Sequence, residues 1–345
     1  MSAPTQDYWT FFAGEAQRLN APLYVRLAEG VAGDEELRAL AQNVRPGQPR
    51  ANMLLGAVHF VLLRGAQHPL RAFYPNLGGT LTPADSDPFP AFRDFVFAHR
   101  DAVASLIANR ITNTNEVGRS GTLHPGFRML AQRAGEPLHL VEIGPSAGLN
   151  MIWDQYGVRY VREDESFATD APGAELIVDV ALRGEKIPPL GPPPRVASRV
   201  GLEMNPVDLT DADSRDWLRA LVWPNHPVRF ARLDKALAIY AKQKVEIRVG
   251  DALALLPEAL ARAPANETLC VYHTIVTYQF SHEMREALDH ILIAAGLRRP
   301  VWRLSLEFAG ENTHPLRLTR YQDGTKTEET LALCDPHGAW IEWLA

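Results

Sequence analysis

Leu138-His139-Leu140-Val141-Glu142-Ile143-Gly144-Pro145-Ser146-Ala147-Gly148-Leu149-Asn150 decides how this chain folds. A short apolar run ending in a carboxylate has the pattern of a buried strand. A turn of small residues comes next, and Gly148 to Tyr156 has a helical look. Strand, small-residue turn and helix form the unit with which α/β proteins bring a ligand close to backbone amides. Glycine suits the turn because a Cβ blocks either a positive φ or the approaching ligand. Two chemistries compete for the stretch. One is an acidic-Gly-x-Ser-x-Gly loop that binds the nucleoside of S-adenosylmethionine. The other is a Gly-x-Ser-x-Gly nucleophile elbow carrying Ser146 as the nucleophile.

The flanking sequence on either side favours the loop. From Tyr8 to about Asn109 the apolar spacing is helical, as in Tyr8, Phe11, Phe12 and Leu19, then Leu54, Val58, Val61 and Leu62. Phe92, Phe95, Val96, Val103 and Leu106 read as a third long helix, and His59 falls on an apolar face as a satisfied core histidine. An elbow needs several strands built before the nucleophile, and here everything before Leu138 reads as helix. After Leu138 three strands end in acids: Glu142, then Glu203 after Val196–Leu202, then Asp251 after Val245–Val249 and Gly250. In an open sheet the ligand lies across the carboxyl ends of the strands at the switch point. One carboxylate can organise the loop and face the donor's amino end, a second can accept ribose hydroxyls, and a third the adenine amino group. A dinucleotide fold places its ribose acid about 20 residues after the glycines, which Glu203 does not satisfy.

The rest of the pattern completes an α/β domain. Thr268–Tyr272 and Val301–Phe308 are further strands, with a Ser-capped helix from Ser281 to Ala295 between them. Leu316–Tyr321 and Thr330–Trp343 read as strands closing an antiparallel edge, and the alternation in Val158–Val161 and Glu175–Leu182 as an antiparallel insertion. The expected fold is a Rossmann-like doubly wound sheet of methyltransferase type, mostly parallel with an antiparallel C-terminal edge. It would occupy residues 121–345, with a hairpin and loop insertion at about 157–195. Residues 1–120 would form a helical N-terminal domain capping the pocket.

Composition narrows the partners. With 345 residues, a net charge of −6 and 46% hydrophobic residues, the chain is an ordinary globular one without an overall basic surface. The longest apolar run, Met53 to Leu63, is too short to span a bilayer. Two distant cysteines, Cys270 and Cys334, and an N-terminus without a signal-peptide pattern fit a cytoplasmic protein. No nucleic-acid or membrane signal stands out; the helical N-terminal region and the Thr112–Arg119 loop are expected to cover the acceptor, which favours a small molecule over a polymer. The histidines have no metal-ligand spacing.

Thr112-Asn113-Thr114-Asn115-Glu116-Val117-Gly118-Arg119 is unusually rich in amide, hydroxyl and charged groups for a linker. It reads as a polar lip in which Asn115 and Arg119 touch substrate and Glu116 shares the chemistry. His273, just past the fourth strand, has the pKa range of a general base. Tyr278 and Gln279 come after it as acceptor contacts, and Glu142, Gly144, Ser146, Gly148, Asn150, Glu203 and Asp251 form the cofactor set. Trp153 and Tyr156 suit packing, and Asp154 is paired in this reading with Arg119.

These segments resemble a bacterial family of uncharacterised proteins, DUF2332. The resemblance rests on Thr114–Arg119, on Glu142-Ile143-Gly144 with Ser146–Asn150, and on Trp153-Asp154-Gln155-Tyr156. Phe73-Tyr74-Pro75, Val222-Trp223-Pro224 and His273–Gln279 add to it. It implies a methyltransferase-like fold but supplies no substrate. Ser146 stands where methyltransferases in general carry a middle glycine. The function expected is S-adenosylmethionine-dependent methyl transfer to a small molecule. The alternatives are a non-catalytic Rossmann-like nucleotide-binding protein and a Ser146 hydrolase.

Overall fold

Alternating apolar residues in eleven strands, among the described residues, assemble one mixed sheet. In the computed structural model of the protein, residues 5–163, 165–168, 174–309 and 314–345 are described. Part of the expected insertion, residues 164 and 169–173, lies outside them. The chain divides into two units: Met1–Thr114 with Val207–Ala231, and Asn115–Pro206 with Arg232–Ala345.

The first unit is helical. Thr5–Arg18, Pro22–Gly33, Glu35–Ala41 and Arg50–Leu63 contribute Trp9, Leu27, Leu54 and Val58 to a core in which each is at most 1% exposed. The expected third long helix is two helices, Phe89–Ala98 and Arg100–Asn109, divided at His99. Helix Ala212–Ala220, which the sequence order puts in the α/β domain, sends Trp217 and Ala220 into this helical core. The reason is its amphipathic face, whose tryptophan donates Nε1–H to the Ile111 carbonyl at 2.8 Å.

The second unit holds the sheet. Its strands are β1 (Leu138–Ile143), β2 (Gly157–Arg162), β3 (Glu165–Ala168), β4 (Ile177–Arg183), β5 (Val196–Glu203) and β6 (Glu246–Val249). Then come β7 (Thr268–Thr274), β8 (Val301–Leu306), β9 (His314–Gln322), β10 (Thr325–Cys334) and β11 (Trp340–Trp343). The order is β3-β2-β4-β11-β10-β9-β8-β7-β1-β5-β6. The run β8-β7-β1-β5-β6 is parallel throughout. Its first strand sits inside, with later strands added on both sides, so the order reverses between β1 and β7. Helix Ser120–Ala134 packs on one face, against β2, β4, β8 and β9. Helices Ala252–Arg262 and His282–Gly296 cover the other face, where Val141, Ile143, Val200 and Leu202 meet Leu256 and Leu292.

Two expectations about the sheet need correction. The antiparallel strands β9 and β10 lie within it and do not form its edge, because β11 pairs in parallel with β4. The expected antiparallel insertion extends the same sheet, with β2 and β4 parallel and only β3 antiparallel. Val178, Val180 and Leu182 alternate with exposed Ile177, Asp179, Ala181 and Arg183, so β4 has one apolar face to cover. Helix Ser120–Ala134 covers it, closely enough that a Cβ at Gly121 would come within 2.4 Å of Val180.

Candidate functional site

The loop after β1 takes its shape from three left-handed residues in alternation: Gly144 at φ +67°, Ser146 at +56° and Gly148 at +80°. A Cβ on Gly144 would approach Val276 to 2.9 Å, and one on Gly148 would approach Ile247 and the Tyr240 hydroxyl. Both glycines are thus required by conformation and by space. Ser146 adopts the same conformation with a side chain, at a cost of order 1 kcal/mol. The chain then enters a 3₁₀ helix, Leu149–Gln155, kinked at Ile152, where the sequence suggested an α-helix.

The carboxylate expected to hold ribose holds the loop as well. Glu203 accepts the Ser146 N–H on Oε2 and the Asn205 N–H on Oε1, both at 2.9 Å. Asp251 caps helix Ala252–Arg262, with Leu253 and Ala254 donating to Oδ1 at 2.8 and 3.3 Å. Glu142 is turned into the core, 2% exposed, where the Tyr272 hydroxyl donates to it at 2.8 Å. Burial pushes its pKa up to about 8, with Glu203 adding to the rise. At neutral pH Glu142 is therefore a proton-bearing acid of the core, supporting the loop from beneath.

The polar segment before helix Ser120–Ala134 reaches this loop. The Asn115 Oδ1 accepts the Leu149 N–H at 2.8 Å, and the Asn150 Nδ2 donates to the Glu116 carbonyl at 3.1 Å. Glu116 is buried, capping Gly118 N–H at 2.9 Å with the Arg232 guanidinium 3.7 Å away. Arg119 donates to the Pro336 and Thr274 carbonyls at 2.8 and 3.2 Å. Asp154 pairs with Arg199, at 2.6 and 3.0 Å, and not with Arg119, since β5 presents Arg199 beneath the 3₁₀ helix. Trp153 is fully buried, stacked on Phe127 at 4.5 Å. Two polar atoms of the loop stay buried with no hydrogen-bond partner among the described residues: Ser146 Oγ and Asn150 Oδ1.

His273 stands on the opposite face of β7 from Tyr272. Its Nδ1 lies 2.6 Å from Glu307 Oε1, and its Nε2 is buried without a partner among the described residues. Glu307 comes directly after β8 and also accepts the Val276 and Thr277 amides at 2.9 to 3.2 Å. Those amides converge because Ile275 is bent to φ +55°, an outlying conformation for a β-branched residue. Burial opposes ionisation of Glu307, but the bonds from His273 and the two amides outweigh it and lower its pKa. The pair lines a cleft of about 510 Å³ between β7–β10 and helix His282–Gly296. Tyr278 lines the same cleft, whereas Gln279 is exposed beside it.

A family described as an uncharacterized protein conserved in bacteria (DUF2332) matches residues 6–343. The chain belongs to DUF2332. No curated protein matches it. DUF2332 membership therefore names no reaction, and the site's chemistry rests on its own residues. Glu307 is the functional residue that sequence reasoning missed. The signal was present, because Leu304-Ser305-Leu306-Glu307 repeats the strand-then-carboxylate pattern of Glu142 and Glu203.

Proposed function

We propose that the second unit binds S-adenosylmethionine across the ends of β1, β5 and β6 and methylates a small-molecule acceptor. The observation that carries this is a row of three adjacent strands that starts at the switch point beside β1 and whose ends carry, in turn, a left-handed small-residue loop, Glu203 and Asp251. An open sheet binds its ligand at such a place. The residues fit the group. Each oxygen of Glu203 accepts one amide and keeps a second lone pair for a ribose hydroxyl. Asp251 gives only Oδ1 to its helix, which leaves Oδ2 for the adenine amine. Ser146 Oγ and Asn150 Oδ1 are the loop's unsatisfied polar atoms, and buried groups of that kind are rare without a ligand or water.

When bound, the donor supplies an electrophilic methyl carbon. The work of the chain is then to bind and orient, because alignment supplies much of the rate in an in-line displacement. Asn115 and Glu116 hold the loop's far side. The hydrolase alternative lacks its couple: among the described residues, Ser146 Oγ has no histidine as a hydrogen-bond partner.

A thermal-shift series with S-adenosylhomocysteine, NADH and a fluorophosphonate separates the readings. Saturating S-adenosylhomocysteine should stabilise the protein by about 2–3 kcal/mol at a hundredfold excess over Kd, raising Tm by several degrees. Gly144→Val should lose that shift. Stabilisation by NADH instead, or labelling of Ser146 by the fluorophosphonate, would overturn the proposal.

A further inference from the structure

We infer that the cleft beside β7 and β8 binds a small, uncharged aromatic ligand through a hydroxyl donated to His273 Nε2, and that Glu307 is the positioning residue for that histidine. As the acceptor site of the transfer proposed above, this rests on that reading. As a binding site it stands without it.

The hydroxyl is dictated by the tautomer. An ionised carboxylate can only accept, so Nδ1 carries the proton it donates to Glu307, and an Nε2 that bears no proton presents its lone pair to a donor. That nitrogen is buried on a side chain 2% exposed and has no partner among the described residues, and His273 is one of the residues lining the cleft. A buried acceptor left unpaired costs about 1–3 kcal/mol. A ligand O–H supplies the missing partner.

The aromatic body is dictated by the rim. Tyr278 and Phe308 line the cleft 57% and 48% exposed, their rings 5.5 Å apart and edge-on. Such rings receive a flat apolar body well. The absence of net charge comes from the walls. Arg285, Arg303 and Arg317 face Asp289, Glu307 and Glu328, and Arg303 already pairs with Asp289 at 2.7 Å. Neither an anion nor a cation gains from a lining so balanced.

The cleft also adjoins the loop. Val276 packs against Gly144 on one side, and its amide is held by Glu307 on the other. His273 and the loop assigned to the donor are thus connected through Glu307 and Val276. In the transfer proposed above, Nε2 would take the hydroxyl's proton as its oxygen bonded to the donor's methyl carbon and the methyl–sulfur bond broke, releasing the thioether, and Glu307 would balance the imidazolium charge.

The test uses paired probes on the full chain, 2-naphthol and its methyl ether, by calorimetric titration. The expected result is binding of 2-naphthol about tenfold tighter than the ether, the ratio that one net hydrogen bond gives. His273→Ala should reduce that ratio to near one, whereas Phe308→Ala, an exposed substitution, should weaken both probes alike. Glu307→Gln should move the histidine ¹⁵N signals of Nδ1 and Nε2 away from the single-tautomer pattern expected of the wild type. Equal binding of the two probes, no binding of either, or an unchanged ratio in His273→Ala would each overturn the inference. A parallel S-adenosylhomocysteine titration tells its failure from failure of the donor reading, since 2-naphthol binding does not require the donor.

Discussion

Glu142 is the residue whose placement departs most from a reading of its neighbours. As the last acid of the first strand it invites a role as an exposed carboxylate. The fold instead seals it in the core beside Tyr272, whose own pKa is raised by burial. Its folded pKa of about 8 exceeds the unfolded value, so the native state binds the extra proton. The cost is absent below the unfolded pKa, near 4.3, and grows as pH rises to about 8. Glu142→Gln should therefore flatten that part of the stability profile and stabilise the protein at pH 8 by roughly 1–3 kcal/mol, read from urea midpoints at several pH values. A variant less stable at pH 8 than the parent would contradict the burial argument. The sequence reported the acid but not its burial, which depends on partners distant in sequence such as Tyr272 on the neighbouring strand.

At the scale of elements, most strands were recognisable in the sequence, β3 being missed and β10 and β11 read as one stretch, but their partners were not. Alternation in β2 and β4 reveals a one-sided strand, yet nothing in a period of two names the neighbour. β4 lies between β2 and β11, so β9 and β10 became interior. The helix Ser120–Ala134 makes that extension possible by presenting Gly121 to Val178 and Val180. Gly121→Ala should lift it, costing about 1–3 kcal/mol as overpacking does, with the urea midpoint as readout. An unchanged midpoint would mean that the helix shifts freely on the sheet. By contrast, the polar density of Thr112–Arg119 did mark a loop that reaches the candidate site, since Asn115 and Glu116 both bond to Leu149–Asn150. The partner of Asp154 was invisible, because Arg199 lies 45 residues away on another strand.

Each unit also carries a buried neutral histidine of its own. His59 in the first bonds to the Ala220 carbonyl at 2.9 Å and to Asn76 at 2.8 Å, and burial holds its pKa down to about 4. His124 in the second meets the Trp153 carbonyl at 2.8 Å, and burial with the charge of Arg128 lowers it to about 3. Both depressed values stabilise above the unfolded pKa near 6.5 and are lost as pH falls through the folded values. Urea midpoints of the first unit should thus decline from pH 6.5 toward pH 4, and those of the second should do so in the Glu142→Gln background, where the opposing gain from Glu142 is removed; a flat profile in either case would contradict the burial of these rings.

The central claim for the molecule is that the ends of β1, β5 and β6 bind the methyl donor. Asp251→Asn tests it most directly, because an asparagine Oδ1 can keep the helix cap while an amine replaces the acceptor meant for adenine. Calorimetric titration with S-adenosylhomocysteine should give saturable one-to-one binding to the wild type and a Kd weakened about tenfold or more in Asp251→Asn, at unchanged Tm. No binding to the wild type, or equal binding to both proteins, would contradict the account.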